Sequence, residues 1–423
     1  AFRYQIHQRR ELGMLPESTD FQVIPDPLGM RVGSGGATLN ALCQLAARLE
    51  DGDTLISRGR ILILHSGGDS RRLPQYSAFG KIFSPIPRLL GSGRPSTLFD
   101  ELYVALSGLP TAMSPGVVIA SGDVLLLFDQ AQVDLSRPGF TGVAIPAEAE
   151  TASHHGVYAA DRAGRVRHFL HKPSVSTMRE RAALSRSNTA PVDTGIVYFS
   201  SRAARTLVEQ ARGQSGWLNR IVQDGTCVNF YGDFLLPLAP GTDMTQYLRD
   251  TSDGPATTQL QELRREIWDV LRDMPFYVSI LSPAKFLHFG TSREYQRLIT
   301  YEDEDVRALG GARRVSHYLD ADCSVAERAC ILHSRIGRQA RVAQGCSIEF
   351  SRVGERAVIG RDSVVSNMDL PAAARIPKET VVHALPVRSP DGGTAWVVRI
   401  WGLDDNPKAE VGSATLLGRN LGG

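Results

Sequence analysis

The residues best suited to chemistry lie in one short stretch. Gly67 and Gly68 follow the apolar run Ile61 to His65, and Arg71, Arg72 and Lys81 come soon after. Adjacent glycines permit left-handed backbone angles and leave main-chain N–H groups bare, so with cations close by they form a cradle for an oligophosphate. Ser70 adds a hydroxyl to the same loop. A tight strand-to-helix turn with solvated charges is the plainer reading of a lone glycine pair, but the ordered unit of strand, glycines, cations and prolines favours a ligand. The loop lacks the Gly-Lys-Ser/Thr end of a P-loop and the spacing of a dinucleotide fingerprint.

Two carboxylates are placed to hold a metal. Asp123 follows the buried run Val117 to Ala120 through Ser121 and Gly122, and Asp233 follows the strand-like run Cys227 to Phe230. A carboxylate at the C-terminal end of a parallel strand faces the ligand crevice and suits Mg²⁺, although either aspartate alone reads equally as a cap or turn residue. As a pair from two strand ends they suit one ion bridging phosphate oxygens. Further upstream, Gly33, Gly35 and Gly36 precede Leu39, Leu42, Leu45 and Leu49 at helical spacing. That glycine-rich loop feeds a helix whose N-terminus can hold phosphate, or it lets the helix pack closely.

Positioning such groups takes alternating strands and helices, and 423 residues suffice for two domains with separate cores. Leu263, Ile267, Val270 and Leu271 form a core-facing helical stripe, and the Gly-Thr-Ser at Gly290 to Ser292 reads as a helix N-cap. From about Ser316 the pattern changes. Val325, Ile331, Ile336, Val342, Ile348, Val353, Ile359 and Val365 recur every five or six residues, the hexapeptide signature of a parallel β-helix. The segment Pro371 to Leu403 then reads as closing strands, with Trp396 and Trp401 as caps.

A formal net charge of +2 argues for neither nucleic-acid coating nor membrane-surface binding. The five cysteines lack a Cys-x-x-Cys pair or a histidine cluster, so they read as reduced thiols rather than a disulfide frame or zinc site. With no bilayer-length apolar run and no signal peptide in view, the expected location is cytoplasmic. The ends carry no obvious terminal element, which leaves the chain readable as part of a longer protein.

Gly67-Gly68, Arg72-Leu73-Pro74 and the downstream Lys81 resemble the signature of the sugar-1-phosphate nucleotidyltransferases. Ser70 where that pattern has a third glycine, Arg71 in place of a small hydroxyl residue, and Gly80-Lys81-Ile82-Phe83-Ser84-Pro85-Ile86-Pro87 are similar to one branch, the fucose-1-phosphate guanylyltransferases (GDP-L-fucose pyrophosphorylases). The segment Phe286 to Tyr295 also resembles that branch. The resemblance implies a doubly wound, Rossmann-like α/β nucleotidyltransferase domain over residues 1–312, followed by a left-handed parallel β-helix domain over 313–423.

It implies transfer of GMP from GTP onto L-fucose-1-phosphate, giving GDP-L-fucose and pyrophosphate. Arg72 and Lys81 would take the catalytic, charge-neutralising role. Gly33, Gly35, Gly36, Gly67, Gly68 and Ser70 would face the nucleotide. Lys172, in Phe169-Leu170-His171-Lys172-Pro173, would grip the sugar phosphate, with Asp193, Gly195 and His155 near the sugar and Asp123 with Asp233 on Mg²⁺. In many organisms this domain is joined to an L-fucokinase, so a linked or separate fucokinase domain is an expected partner. The rival readings are a sugar kinase, which the absence of a glycine/serine-rich kinase phosphate loop disfavours, and a non-catalytic nucleotide-sugar-binding module.

Overall fold

The computed structural model describes residues 1–48, 52–66, 70, 72–252, 254–301, 303–407, 409–410 and 412–422. Among them a seven-stranded sheet organises the first three quarters of the chain. Its strands are β1 (Arg60–His65), β2 (Gly116–Ser121), β3 (Phe140–Glu148), β4 (Gly156–Ala160), β5 (Val166–His171), β6 (Thr189–Ser200) and β7 (Phe276–Ile280). The main path runs β1-β2-β6-β3-β7, with β4 and β5 as a hairpin attached through β6. β1 pairs with β2, and β3 with β7, in parallel. β6 runs antiparallel to both β2 and β3, so the sheet is mixed rather than wholly parallel. It follows the β4–β5 hairpin instead of a crossover that would restore the parallel direction.

Successive side chains of a strand point to opposite faces, so the central strands feed two apolar layers. Val117, Ile119, Val197 and Phe199 pack with the helices Gly33–Arg48, Ser201–Ala211 and Thr258–Leu271 through Leu39, Leu42, Leu207, Leu263 and Ile267. Val118, Ala120, Ile196 and Tyr198 pack on the other face against Leu98, Leu102 and Leu106 of helix Leu98–Leu106. β2 is therefore buried as its composition predicts. β1 is not: it lies at the edge of the sheet, and Leu62 is 38% exposed.

Three further sheets stack the aliphatic repeats. Ile331 pairs with Ile348, Ile348 with Val365, and Val365 with Val382, all in parallel. The hydroxyl of Ser334 accepts from the amide of Ser351 seventeen residues on, and Ser351 from Met368 at the same separation, which fixes the length of one coil. Left-handed backbones at His333, Phe350 and Asn367 turn one corner of successive coils. Ile331, Ile336, Val342, Ile348, Val353, Ile359 and Val365 share one apolar column, with Val325 packed partly against it. The stack ends in an antiparallel hairpin, Thr380–Arg388 with Thr394–Gly402. Trp396 does not cap anything, since it is 59% exposed on that hairpin.

Cys330 and Leu332 of the coils join Leu73, Tyr76, Ile86 and Tyr295 in the second apolar layer. The stack thus packs directly on the segment that follows the glycine loop. No helix among the described residues is long and apolar enough to cross a membrane.

Candidate active site

The C-terminal end of β2 gathers the polar groups. Lys81 opens a single 3-10 turn, Lys81–Phe83, entered through Gly80, whose φ of 89° belongs to the left-handed region. A Cβ there would also lie 2.5 Å from the Phe2 ring. The turn delivers Lys81 Nζ to 2.6 Å from Asp123 Oδ2, and Ser121 Oγ donates to Asp123 Oδ1 at 2.5 Å. Burial alone would raise the Asp123 pKa, but the Lys81 charge and the hydrogen bonds from Lys81 and Ser121 together hold it below the ordinary value.

A second strand pair frames the same aspartate. Val124–Phe128 pairs with Ala284–His288, and this register places His288 opposite Val124. His288 Nε2 lies 4.0 Å from Asp123 Oδ2, while its Nδ1 is 3.4 Å from Glu294 Oε1. The hydrogen bond from His288 lowers the Glu294 pKa. Gly290 makes room for this arrangement, since a Cβ there would sit 2.3 Å from the His288 ring. The sequence reads this segment as a helix cap, with a sugar contact as an additional possibility, and does not show the histidine–glutamate pair. That cap exists, Thr291 Oγ1 accepting from the Glu294 amide, and the same turn carries the histidine–glutamate pair.

The groups expected at the sugar side stand next to this cluster. His155, half-buried, has its pKa lowered by burial first, then by nearby His288, His154 and Lys172. The Lys172 amide donates to the His155 carbonyl at 3.0 Å, and Lys172 holds a left-handed backbone with φ 43°. Asp193 Oδ1 accepts from Tyr158 OH at 2.8 Å and from the Gly195 amide at 3.2 Å. Burial raises its pKa to about 6. Gly195, φ 74°, brings the backbone close to Ser121, where a Cβ would approach to 3.1 Å, and its carbonyl accepts from Tyr231 OH at 2.8 Å. Burial raises the Tyr231 pKa, and the nearby charges of Asp193 and Asp123 raise it further. A small recess beside this tyrosine is lined by Phe169, His171, Tyr231, Gly232, Leu236, Asp250 and Ser252.

Other expected site residues are placed differently. Asp233 does not join Asp123 as a metal ligand: it is 2% exposed, Arg264 Nε donates to Oδ1 at 2.7 Å, and the Asn229 amide donates to Oδ2 at 2.6 Å. The run Cys227 to Phe230 forms no strand but leads into the helical turn Phe230–Leu235, at whose start Asp233 is buried. Gly33, Gly35 and Gly36 lie inside the first turn of the helix, which begins six residues before Leu39. The amides of Gly35 and Gly36 donate to the Val228 carbonyl, and a Cβ at Gly33 would come within 2.3 Å of that oxygen. They serve close packing, and those two amides are not free to meet phosphate. Gly67 and Gly68 lie outside the described residues. Ser70 has φ 46°, and Arg72 is exposed with no ion pair among the described residues. Among the described residues no group of three or more His, Cys, Asp or Glu side chains is placed to hold a metal ion.

A layered α/β sheet with a lysine–aspartate pair beside a strand end is consistent with a nucleotidyltransferase, the class to which the family match assigns the chain. The family is narrower than that class. The Fucose pyrophosphorylase domain matches residues 53–422, and the chain belongs to that family. It is 29% identical to the fucose-1-phosphate guanylyltransferase of Mus musculus and 28% identical to that of Homo sapiens, over 97% of this chain and 73% and 71% of those proteins. It is also 27% identical to the bifunctional fucokinase/GDP-fucose pyrophosphorylase of Arabidopsis thaliana, over 97% of this chain and 41% of that protein.

Proposed function

We propose that the chain transfers GMP from GTP onto L-fucose-1-phosphate, yielding GDP-L-fucose and pyrophosphate. Family membership supports the reaction, and the observation that carries it to particular residues is the Lys81–Asp123 pair, 2.6 Å apart, with His288 near both Asp123 and His155. A phosphate oxygen of the sugar-1-phosphate attacks the α-phosphorus of GTP. The bond to the bridging oxygen breaks, and its electron pair leaves with pyrophosphate. No covalent enzyme intermediate is required, so the protein's task is to align the partners and neutralise charge.

In this reading Lys81 and the exposed Arg72 face the triphosphate, and Gly67, Gly68 and Ser70 line it. Lys172 and His155 face the sugar phosphate, while Asp193 and Gly195 meet sugar hydroxyls. Of the two aspartates only Asp123 fits a Mg²⁺ ligand, because its side chain is 23% exposed at a strand end where that of Asp233 is 3% exposed. Bound there, the ion would neutralise phosphate charge. Asp233 does not fit that role: like Asp123 it is held by a cation and a hydrogen bond, but its carboxylate is also closed off from solvent.

We further read the first 312 residues as a Rossmann-like domain and the coils as a left-handed β-helix, with the chain acting in the cytoplasm where its cysteines stay reduced. The fused relatives make a fucokinase domain, in the same or a separate protein, the supplier of the sugar phosphate. The test is pyrophosphate release from a panel of nucleoside triphosphates and sugar-1-phosphates with Mg²⁺. Turnover should be fastest with GTP and L-fucose-1-phosphate. No release with that pair, alongside release with another, would reject this assignment.

A further inference from the structure

Behind the glycine loop the chain makes a single 3-10 turn, Pro74–Tyr76, and three separate parts of the molecule hold it. The Ser292 amide donates to the Arg72 carbonyl at 2.9 Å, and the Ser292 hydroxyl lies 3.1 Å from Gln75 Oε1. Arg399, on the closing hairpin of the coil stack, donates to the Pro74 carbonyl at 2.7 Å. The Tyr76 hydroxyl sits 2.7 and 2.6 Å from the two carboxylate oxygens of Glu349, on the outer face of the coils where they pack against this segment.

Glu349 is out of place in a coil stack. Its neighbours in register are Leu332 and Ser366, yet this position carries a carboxylate that is 0% exposed and has no cationic partner among the described residues. Its partners are hydroxyls: Tyr76, Ser366, and Tyr295 at 3.2 Å, whose proton is shared with the Pro85 carbonyl at 2.7 Å. Burying a carboxylate between the stack and the sheet domain is unfavourable in itself, and an apolar residue such as Leu332 one coil earlier would serve the packing there better. What the carboxylate adds is a short, directional hold on one side chain of the loop segment.

We propose that Glu349 is a positioning residue for the nucleotide loop: through Tyr76 the coil stack fixes the backbone that presents Arg72. Arg72 lies four residues before Tyr76 in a segment pinned at Arg72, Pro74 and Tyr76, so a slackened Tyr76 changes where the guanidinium rests when the triphosphate arrives. The stack then has a part in turnover although it contributes no group to the cleft. The kinetic half of this inference rests on the proposed guanylyl transfer; the structural half does not.

The test uses the full chain. Glu349→Gln leaves one acceptor oxygen and turns an NH₂ donor toward the tyrosines, and Tyr76→Phe removes the hydroxyl from the other side. Each should lower kcat on the order of tenfold, as expected for a small misplacement of a charge-stabilising group, while the KM for L-fucose-1-phosphate stays as in the wild type. The double variant should be no worse than the weaker single variant, since both cut the same link. Leu370→Ala, which opens the apolar column away from the loop, should keep wild-type kcat below its melting temperature. Hydrogen exchange supplies the second readout: amides of residues 72–77 should exchange at least tenfold faster in Glu349→Gln, and at the wild-type rate in Leu370→Ala. Unchanged loop exchange, additive kinetic losses, or equal loss in Leu370→Ala would overturn the proposal. Should Glu349→Gln not fold, Tyr76→Phe carries both readouts. A wild-type protein that releases no pyrophosphate would count against guanylyl transfer, and the exchange comparison would still decide the role of Glu349.

Discussion

Arg264 Nε lies 2.7 Å from Asp233 Oδ1, in an ion pair whose side chains are 4% and 3% exposed. Arg264 also donates to the Asp250 carbonyl at 2.8 Å, so one guanidinium ties helix Thr258–Leu271 to the turn Phe230–Leu235 and to the loop beyond it. Removing the carboxylate would strand a buried cation. Asp233→Ala is therefore expected to lower the unfolding free energy by about 3–5 kcal/mol, with Asp233→Leu/Arg264→Met recovering most of that loss. Urea denaturation of the wild type and these two variants measures it. A fully stable Asp233→Ala protein that had lost only its Mg²⁺ dependence would return Asp233 to the metal site.

Asp193 offers a prediction in pH. Burial lifts its pKa from 3.8 to about 6, so between those values the native state holds a proton that the unfolded chain has released. Stability from this group is fully present below pH 3.8 and is lost as pH rises through about 6. Asp193→Asn should flatten that part of the stability profile. Melting temperatures of the two proteins from pH 4 to 7 provide the check, and parallel curves would show that Asp193 does not titrate in this window.

The coil register is tested by Ile348, which is fully buried between Ile331 and Val365. Ile348→Asp places an unpaired charge in the apolar column and should cost on the order of several kcal/mol, enough to unfold the stack. Circular dichroism and thermal melts of the full chain would report it. A stably folded variant with unchanged melting would mean that the side chain does not point inward.

How much of this was readable from the sequence depended on how local each signal is. The aliphatic repeats and the buried β2 are periodic patterns, and Asp123 sits at the end of an apolar run, so residue types alone located them. Asp233 follows a similar run, but its partner Arg264 is 31 residues away on a helix whose visible signal was an apolar stripe. Gly33, Gly35 and Gly36 looked free for phosphate because Val228, which takes two of their amides, is remote in sequence. The link from Tyr76 to Glu349 spans 273 residues and joins two parts read as separate domains. A sequence shows which groups can donate or accept; only the fold shows which are already occupied.

The last prediction separates the two sides of the cleft. Arg72 is exposed behind the loop, its carbonyl held by the Ser292 amide, whereas Lys172 directly follows β5 and its amide is tied to the His155 carbonyl. As pyrophosphate departs, negative charge builds on the β- and γ-phosphate oxygens, so a cation facing them is worth more in the transition state than in the ground state. Arg72→Ala should lower kcat by roughly 10²–10³, by analogy with loss of one preorganised charge-stabilising donor. In the proposed reading Lys172 faces a phosphate that is bound before and after the transfer, so Lys172→Ala should chiefly raise the KM for L-fucose-1-phosphate. Steady-state kinetics with each substrate varied in turn distinguishes the two. If Lys172→Ala instead weakened GTP binding and left the sugar-phosphate KM unchanged, the two sides of the cleft would have to be exchanged.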